Sequence, residues 1–541
     1  MTTLLRVDDL HVTLDTRNGL VEAVRGVSFS IDRGETLGLV GESGSGKSIT
    51  AMSLVGLAPP GTSLKLRGRA VLDGIDLTAQ DERTMQGIRG KRIGVVFQDP
   101  AAALDPLMKV GEQIREALPA SRDRLAIDER IGTLLTEVGL DIPGVRERYP
   151  HELSGGQQQR VAIATALAGD PDLLIADEPT TALDMSVQAQ ILQLLETLKQ
   201  SRGMAMLLIT HDLGIVSKYA DRVVLLKRGE VVETGAAATV LGAPRHDYTR
   251  MLLQSRPRLV ANAPSSSDPQ RNDILAVAGL SASYAGRGAF APRITALSRV
   301  DLELRRGDAL AIVGESGSGK STLAKVLVGL VGRDEGRIRF NGSDLDPERM
   351  GPVLRQKIQY IFQDSYGALN PRLTVGQAVA EPLAIYGKPR HGWRDEVVRL
   401  LEEVDLGSAH LGRYPWELSG GQRQRVNIAR ALAVSPELLI CDEIVSALDM
   451  SVQAQVLELL ARLRKTRSLS LIFISHNLAV VGALCNRTLV MRNARVVEEG
   501  PTGDILTAPL NPYTRSLVKA ASDLDRIFPL AEPRAFRTLA I

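Results

Sequence analysis

The chain has 541 residues, 44% of them hydrophobic, which is enough for several domains with full cores. Its 65 basic and 63 acidic side chains leave a formal charge of +2, so there is no strong electrostatic case for a nucleic-acid partner. The two cysteines, Cys441 and Cys485, are too few for a disulfide framework or a four-cysteine metal site, and they suit a reducing compartment.

From the N-terminus, Met1–Asp9 lacks the cationic-then-apolar order of a signal peptide. An apolar strand is predicted at Thr36–Val40, followed by Gly41-Glu-Ser-Gly-Ser-Gly-Lys-Ser48, which fits G-x-x-x-x-G-K-[ST]. In such a loop Gly41, Ser43, Gly44 and Gly46 wrap a triphosphate with backbone amides, Lys47 reaches its β/γ-phosphates and Ser48 ligates Mg²⁺. The uncharged stretch 48–64 is interrupted by Pro59, Pro60 and Gly61, and a membrane span needs about 20 apolar residues. Gln98, in Val-Phe-Gln-Asp, is a candidate for orienting water and contacting Mg²⁺; the plain alternative is a solvated strand terminus.

Residues 127–140 read as part of an inserted helical region. Leu153-Ser-Gly-Gly-Gln157 then presents Ser154 as the N-cap of a helix expected to begin near Gln157, with glycine backbone open to an anion. Without further context such a string is a turn plus a cap. The apolar run at Leu173–Ala176 ends in Asp177-Glu178. Behind a phosphate loop, Asp177 suits the Mg²⁺ shell and Glu178 would orient and deprotonate an attacking water; otherwise the pair caps the next helix. Helix 186–199, strands 205–209 and 223–226, and His211 at a strand end complete the half. That histidine could donate to a γ-phosphate or cap a loop. Alternating strands and helices argue for an α/β sheet covered on its faces.

The whole pattern then repeats. A Pro- and Ser-rich segment, 259–272, reads as a linker between domains at 1–258 and 273–541. The second half carries the strand Ala309–Val313 and the identical octet Gly314–Ser321, with Gly314, Ser316, Gly317, Gly319, Lys320 and Ser321. Gln363, Ser419, Gly421, Gln422, Asp442, Glu443 and His476 follow, and helices are expected at 395–406 and 451–464. From Gln98/Gln363 to His211/His476 the two copies are offset by 265 positions, against 273 at the loop lysines. The first half therefore holds eight extra residues between its loop and Gln98. A constant offset across most of each half indicates two copies of one domain, not a solenoid of short repeats.

Taken together and in this order, the motifs resemble the ATP-binding cassette (ABC) ATPases over nearly all of both halves. The resemblance implies two tandem P-loop NTPase domains, each with a RecA-like core, a β-subdomain and an inserted helical subdomain. It further implies ATP and Mg²⁺ as cofactors, with two ATP molecules sandwiched head to tail. Lys47 and Ser48 would meet Ser419, Gly421 and Gln422, and Lys320 and Ser321 would meet Ser154, Gly156 and Gln157. The implied Mg²⁺ ligands are Ser48, Gln98 and Asp177, and Ser321, Gln363 and Asp442; Glu178, Glu443, His211 and His476 are the implied catalytic residues.

A narrower resemblance, to the ATPase subunits of peptide/nickel importers, rests on Gln98–Pro106, Gln363–Pro371 and the tails His246-Asp-Tyr-Thr-Arg250 and Asn511-Pro-Tyr-Thr-Arg515. It implies transport-coupled hydrolysis at the cytoplasmic face of the inner membrane. The partners would be two transmembrane permease subunits, received after each Gln, and an extracytoplasmic solute-binding protein. Three features depart from the family pattern. Tyr284 matches the adenine-stacking aromatic, whereas Leu14 stands at the equivalent place. Pro179 follows the first glutamate but Ile444 follows the second. Neither tail carries the cysteines of an iron–sulfur site, so no cluster is expected. A soluble tandem ABC protein acting on ribosome or DNA, or a scaffold without turnover, is the competing reading. The short, mostly uncharged linker and the two retained glutamates weigh against these.

Overall fold

The short apolar runs become central strands because residues buried on both faces of a sheet need side chains without polar atoms. The computed structural model describes residues 2–16, 19–119, 123–181, 183–255, 272–285 and 293–525. The expected linker, 259–272, lies almost wholly outside them. The chain divides into two compact units, one built on Met1–Leu183 and Val187–Ser255, the other on Arg256–Ser522.

In the first unit a six-stranded sheet runs in the order Glu230–Ala236, Arg222–Lys227, Thr36–Val40, Ala205–Thr210, Leu173–Asp177, Ile93–Val96. All neighbours are parallel except the edge strand Glu230–Ala236. Because side chains alternate across a strand, the sheet feeds two cores. Leu37, Leu39, Leu173, Ile175, Leu207 and Ile209 face one. Leu174, Ala176, Met206 and Leu208 face the other. The first core is closed by an antiparallel sheet in the order Gly19–Asp32, Thr3–Thr16, Ser63–Leu72, Ile75–Asp76. The second is closed by helices that include Val110–Ala117, Arg124–Glu137 and Gly155–Ala166, the expected inserted helical region.

The second unit repeats this plan. Its six-stranded sheet is ordered Ile358–Ile361, Leu438–Asp442, Ser470–Ile474, Ala309–Val313, Arg487–Arg492, Arg495–Pro501. Its antiparallel sheet comprises Ile294–Arg305, Asp273–Tyr284, Glu335–Phe340 and Ser343–Leu345. Part of the first half's insertion lengthens Ser63–Leu72 to 10 residues, against 6 in Glu335–Phe340. Cys441 and Cys485 are buried free thiols within the apolar core.

Candidate nucleotide sites

Each glycine-rich loop joins a central strand to a helix, Lys47–Leu54 in the first unit and Lys320–Leu327 in the second. Gly46 and Gly319 precede these helices with φ of 99° and 103°, a left-handed backbone that favours glycine. A Cβ there would also lie 2.6 Å from the Ala23 carbonyl oxygen and 2.5 Å from that of Ala296. The loop is therefore both turned and pressed against a neighbouring strand by residues only glycine can supply. Inside it Lys47 Nζ donates to the Gly41 and Glu42 carbonyls at 2.7 and 2.9 Å. Lys320 Nζ donates to those of Gly314 and Glu315 at 2.8 and 2.8 Å. Burial lowers the Lys320 pKa. The Ser45 and Ser318 hydroxyls, which sequence reasoning passed over, are buried and find no hydrogen-bond partner among the described residues. An orphaned buried hydroxyl beside a lysine and a helix N-terminus fits an anion's oxygens.

Asp177 and Asp442 end the strands neighbouring the one that carries His211 or His476. Ser48 Oγ donates to Asp177 Oδ1 at 3.1 Å, and Ser321 Oγ to Asp442 Oδ1 at 3.0 Å. Burial pushes Asp177 up to about 6, the Ser48 hydrogen bond working against it. Burial also raises Asp442. Hard oxygen donors on a carboxylate that is costly to ionise fit a divalent cation such as Mg²⁺.

Glu178 and Glu443 have φ of 45° and 48°, a strained conformation for a residue with a Cβ. Their backbone N–H groups donate to the Ile209 and Ile474 carbonyls at 2.9 and 3.0 Å, so the sheet itself holds the strain. The kink turns each carboxylate toward two expected partners, a glutamine and a histidine. Gln98 Nε2 donates to Glu178 Oε2 at 3.0 Å, and Gln363 Nε2 to Glu443 Oε2 at 3.0 Å. His211 Nδ1 lies 3.1 Å from Glu178 Oε1, and His476 Nδ1 lies 3.5 Å from Glu443 Oε2. Burial raises both carboxyl groups, but the histidine contacts and the loop lysine, joined at Glu178 by Thr181, together outweigh it and leave them below the usual glutamate value. Glutamine, glutamate and histidine thus form one contiguous row in each half, hydrogen-bonded throughout in the first and closed by the longer His476–Glu443 contact in the second, beside the aspartate and the loop.

Two side chains make the rows unequal, and neither was apparent from the motifs. Thr181 Oγ1 donates to Glu178 Oε2 at 2.9 Å, whereas its counterpart Ser446 Oγ donates to the Glu443 backbone carbonyl at 2.8 Å. Tyr360 OH donates to Asp442 Oδ2 at 2.6 Å, while Val95 stands at the matching strand position.

The serine-glycine helix begins two residues earlier than expected, at Gly155, and in the second half at Gly420. Ser154 Oγ accepts the Gln157 N–H at 3.4 Å and Gln157 Oε1 accepts the Ser154 N–H at 3.0 Å, a reciprocal cap. Ser419 and Gln422 do the same at 3.3 and 3.1 Å. The glutamine side chains thus complete the helix ends. Gly156 was read as backbone open to an anion; a Cβ there would lie 2.6 Å from Val187 Cγ1, and one at Gly421 would lie 2.2 Å from Val452 Cγ1, so packing against the next helix also requires a residue without a side chain. Tyr284 is 40% exposed, with its hydroxyl 3.2 Å from Thr322 Oγ1, at the edge of the second loop's helix. Leu14, which pairs with Val21 as Tyr284 pairs with Ile294, has no such polar tip.

A parallel sheet with a phosphate loop after one strand and an acid pair after another, present twice, defines a tandem P-loop NTPase. Residues 24–181 and 297–446 match the family described as ABC transporter. Residues 232–287 and 497–531 match the one described as oligopeptide/dipeptide transporter, C-terminal region. The peptidoglycan transport ATP-binding protein YejF of Agrobacterium fabrum is 45% identical over 97% of this chain and 97% of its own. The glutathione import ATP-binding protein GsiA of Escherichia coli K12 is 40% identical over 98% of this chain and 90% of its own. GsiA of Pectobacterium atrosepticum is 41% identical over the same shares. The chain belongs to the ABC transporter family, as an ATP-binding protein with two fused cassettes, and is a transport-coupled ATPase.

Proposed function

We propose that this chain is the energy-coupling subunit of an ABC importer for peptides or peptide-like solutes. The observation that carries the reading is the duplicated glutamine–glutamate–histidine row beside a phosphate loop, in a chain whose two halves both end in an oligopeptide-transporter tail. Relatives named for glutathione and peptidoglycan transport favour solutes containing peptide bonds.

In this reading Lys47 and Ser48 of the first half share one ATP with Ser419 and Gly421 of the second, and Lys320 and Ser321 share the other with Ser154 and Gly156. Gln157 and Gln422 serve by shaping those helix ends. Ser48, Gln98 and Asp177 would hold one Mg²⁺, and Ser321, Gln363 and Asp442 the other; the cation neutralises charge developing on the phosphates. Glu178 and Glu443 orient a water and take its proton, with Gln98 or Gln363 fixing one carboxylate oxygen. His211 and His476 hold the same carboxylates in place and can donate toward a γ-phosphate. Tyr284 stacks on one adenine. ATP favours the closed pair of cassettes, hydrolysis reopens them, and a pair of permease subunits follows the cycle.

No described helix is long and apolar enough to cross a membrane. Attachment to the cytoplasmic face of the inner membrane would therefore come through the permease, with an extracytoplasmic solute-binding protein supplying the solute. ATP turnover of the assembled complex tests the reading. The double variant Glu178→Gln/Glu443→Gln is expected to lower the rate by about a hundredfold or more, the usual cost of losing a general base, and either single substitution to lower it by about half or more. An unchanged rate in either variant contradicts two equally competent sites. Copurification with ribosomes instead of permeases would favour a soluble, non-transporting role.

A further inference from the structure

The tails around Tyr248 and Tyr513 have no part in the nucleotide chemistry, yet each sends one side chain to the rim of a phosphate loop. Tyr248 lies in helix Asp247–Gln254 and Tyr513 in helix Pro512–Asp525; they are 2% and 6% exposed. The Tyr248 hydroxyl accepts the Glu42 backbone N–H at 3.1 Å and donates to Glu42 Oε2 at 3.3 Å. The Tyr513 hydroxyl accepts the Glu315 backbone N–H at 3.0 Å. The carbonyls of those two residues are the ones that Lys47 and Lys320 hold at 2.9 and 2.8 Å. The second residue of each loop is therefore gripped from both sides, by the loop's own lysine and by the tail.

The grip has firm backing. Lys227 Nζ stands 4.8 Å over the Tyr248 ring, and the Arg492 guanidinium stands 4.6 Å over that of Tyr513. Glu233 accepts the Arg245 and His246 N–H groups at 2.8 and 3.2 Å, and Glu498 accepts those of Leu510 and Asn511 at 2.7 and 3.1 Å. Each tail helix is thereby pinned to its edge strand. A phenylalanine would fill the same space; a buried hydroxyl has to be paired, and in both halves its partner is loop backbone.

We propose that Tyr248 and Tyr513 are positioning residues that hold each phosphate loop in its nucleotide-ready shape through one backbone N–H, linking the tail helix to ATP occupancy. This rests on the reading of the loops as ATP sites. By linkage, ATP binding should in turn tighten the docking of the tails.

The test uses the full-length protein and Mg²⁺ with a fluorescent, non-hydrolysable ATP analogue. Tyr248→Phe and Tyr513→Phe are each expected to weaken one of two binding sites about three- to tenfold, the worth of one hydrogen bond. The thermal midpoint should fall by only about a few degrees, and amide exchange should speed up in peptides 41–48 or 314–321 respectively. Wild-type affinity and exchange in both variants would overturn the proposal and leave ring packing as the tyrosines' whole role. Should a variant fail to fold, exchange in the wild-type protein decides. Residues 247–254 and 512–522 should exchange more slowly with the analogue bound, and no change overturns the proposal. If the wild-type protein binds no analogue, the nucleotide reading fails and takes this inference with it.

Discussion

At Asp442 two hydroxyl groups do what one does at Asp177: Ser321 and Tyr360 hold both carboxylate oxygens, whereas Ser48 holds a single oxygen of Asp177. Partners that orient a ligand are typically worth about 10–100-fold in metal affinity. Tyr360→Phe, which keeps the ring against Phe362, should weaken one of two Mn²⁺ sites about tenfold in the presence of an ATP analogue. Electron paramagnetic resonance of free Mn²⁺ reads this directly, and two unchanged sites would show the phenol to be a packing group. Asp177 offers a second test. In the nucleotide-free protein it is raised to about 6 from an ordinary 3.8, so between these values the folded state holds the extra proton and stability falls as pH rises. Asp177→Asn should therefore raise the nucleotide-free thermal midpoint by about 3–6 °C at pH 7.5, and by less at pH 5. A lowered midpoint at pH 7.5 would mean that the buried carboxylate is already compensated.

Among the elements, the serine-glycine helices show packing adding a second demand to a local reading. Their glycines look like open backbone in the sequence, and at the second glycine of each a Cβ would also run into Val187 or Val452. Gly421→Ala should cost about 1–3 kcal/mol through overpacking. Val452→Ala should recover part of that cost, because the two residues touch. Denaturant unfolding of the single and double variants measures the coupling, and simple additivity would contradict the close approach. Other elements were plain in the sequence. Thr36–Val40 and Ala309–Val313 are strands at the expected residues, since five apolar residues before a glycine-rich loop leave few alternatives. The helices expected over 186–199 and 451–464 from apolar spacing are Met185–Arg202 and Met450–Thr466, and the helical regions expected at 127–140 and 395–406 hold Arg124–Glu137 and Trp393–Glu403, which begin two or three residues earlier and end three residues earlier. The positive φ of Glu178 and Glu443, the reach of Thr181 and Tyr360, and the tail tyrosines had no local signal. Thr181 reaches Glu178 only because of that residue's turned backbone, and Tyr360 and Tyr513 depend on partners 82 and 198 positions away that only the folded sheet brings near.

Over the whole molecule, duplication made the architecture legible. Identical octets and constant offsets specified two copies of one cassette before any contact was visible, and each copy keeps the same row of glutamine, glutamate and histidine. The copies differ where repetition gives no information: Leu14 against Tyr284, Val95 against Tyr360, Pro179 against Ile444. The two rows thus share their glutamine, glutamate and histidine while differing in the side chains around them. The central claim is that each ATP is shared between halves, the loop of one cassette facing the serine-glycine helix tip of the other. The most direct measurement is an experimental structure of the permease-bound Glu178→Gln/Glu443→Gln protein loaded with Mg²⁺ and ATP. The expected result places one γ-phosphate within hydrogen-bond distance of both Lys47 and Ser419, and the other within reach of both Lys320 and Ser154. A loaded structure in which either triphosphate is contacted by one half alone would contradict the account.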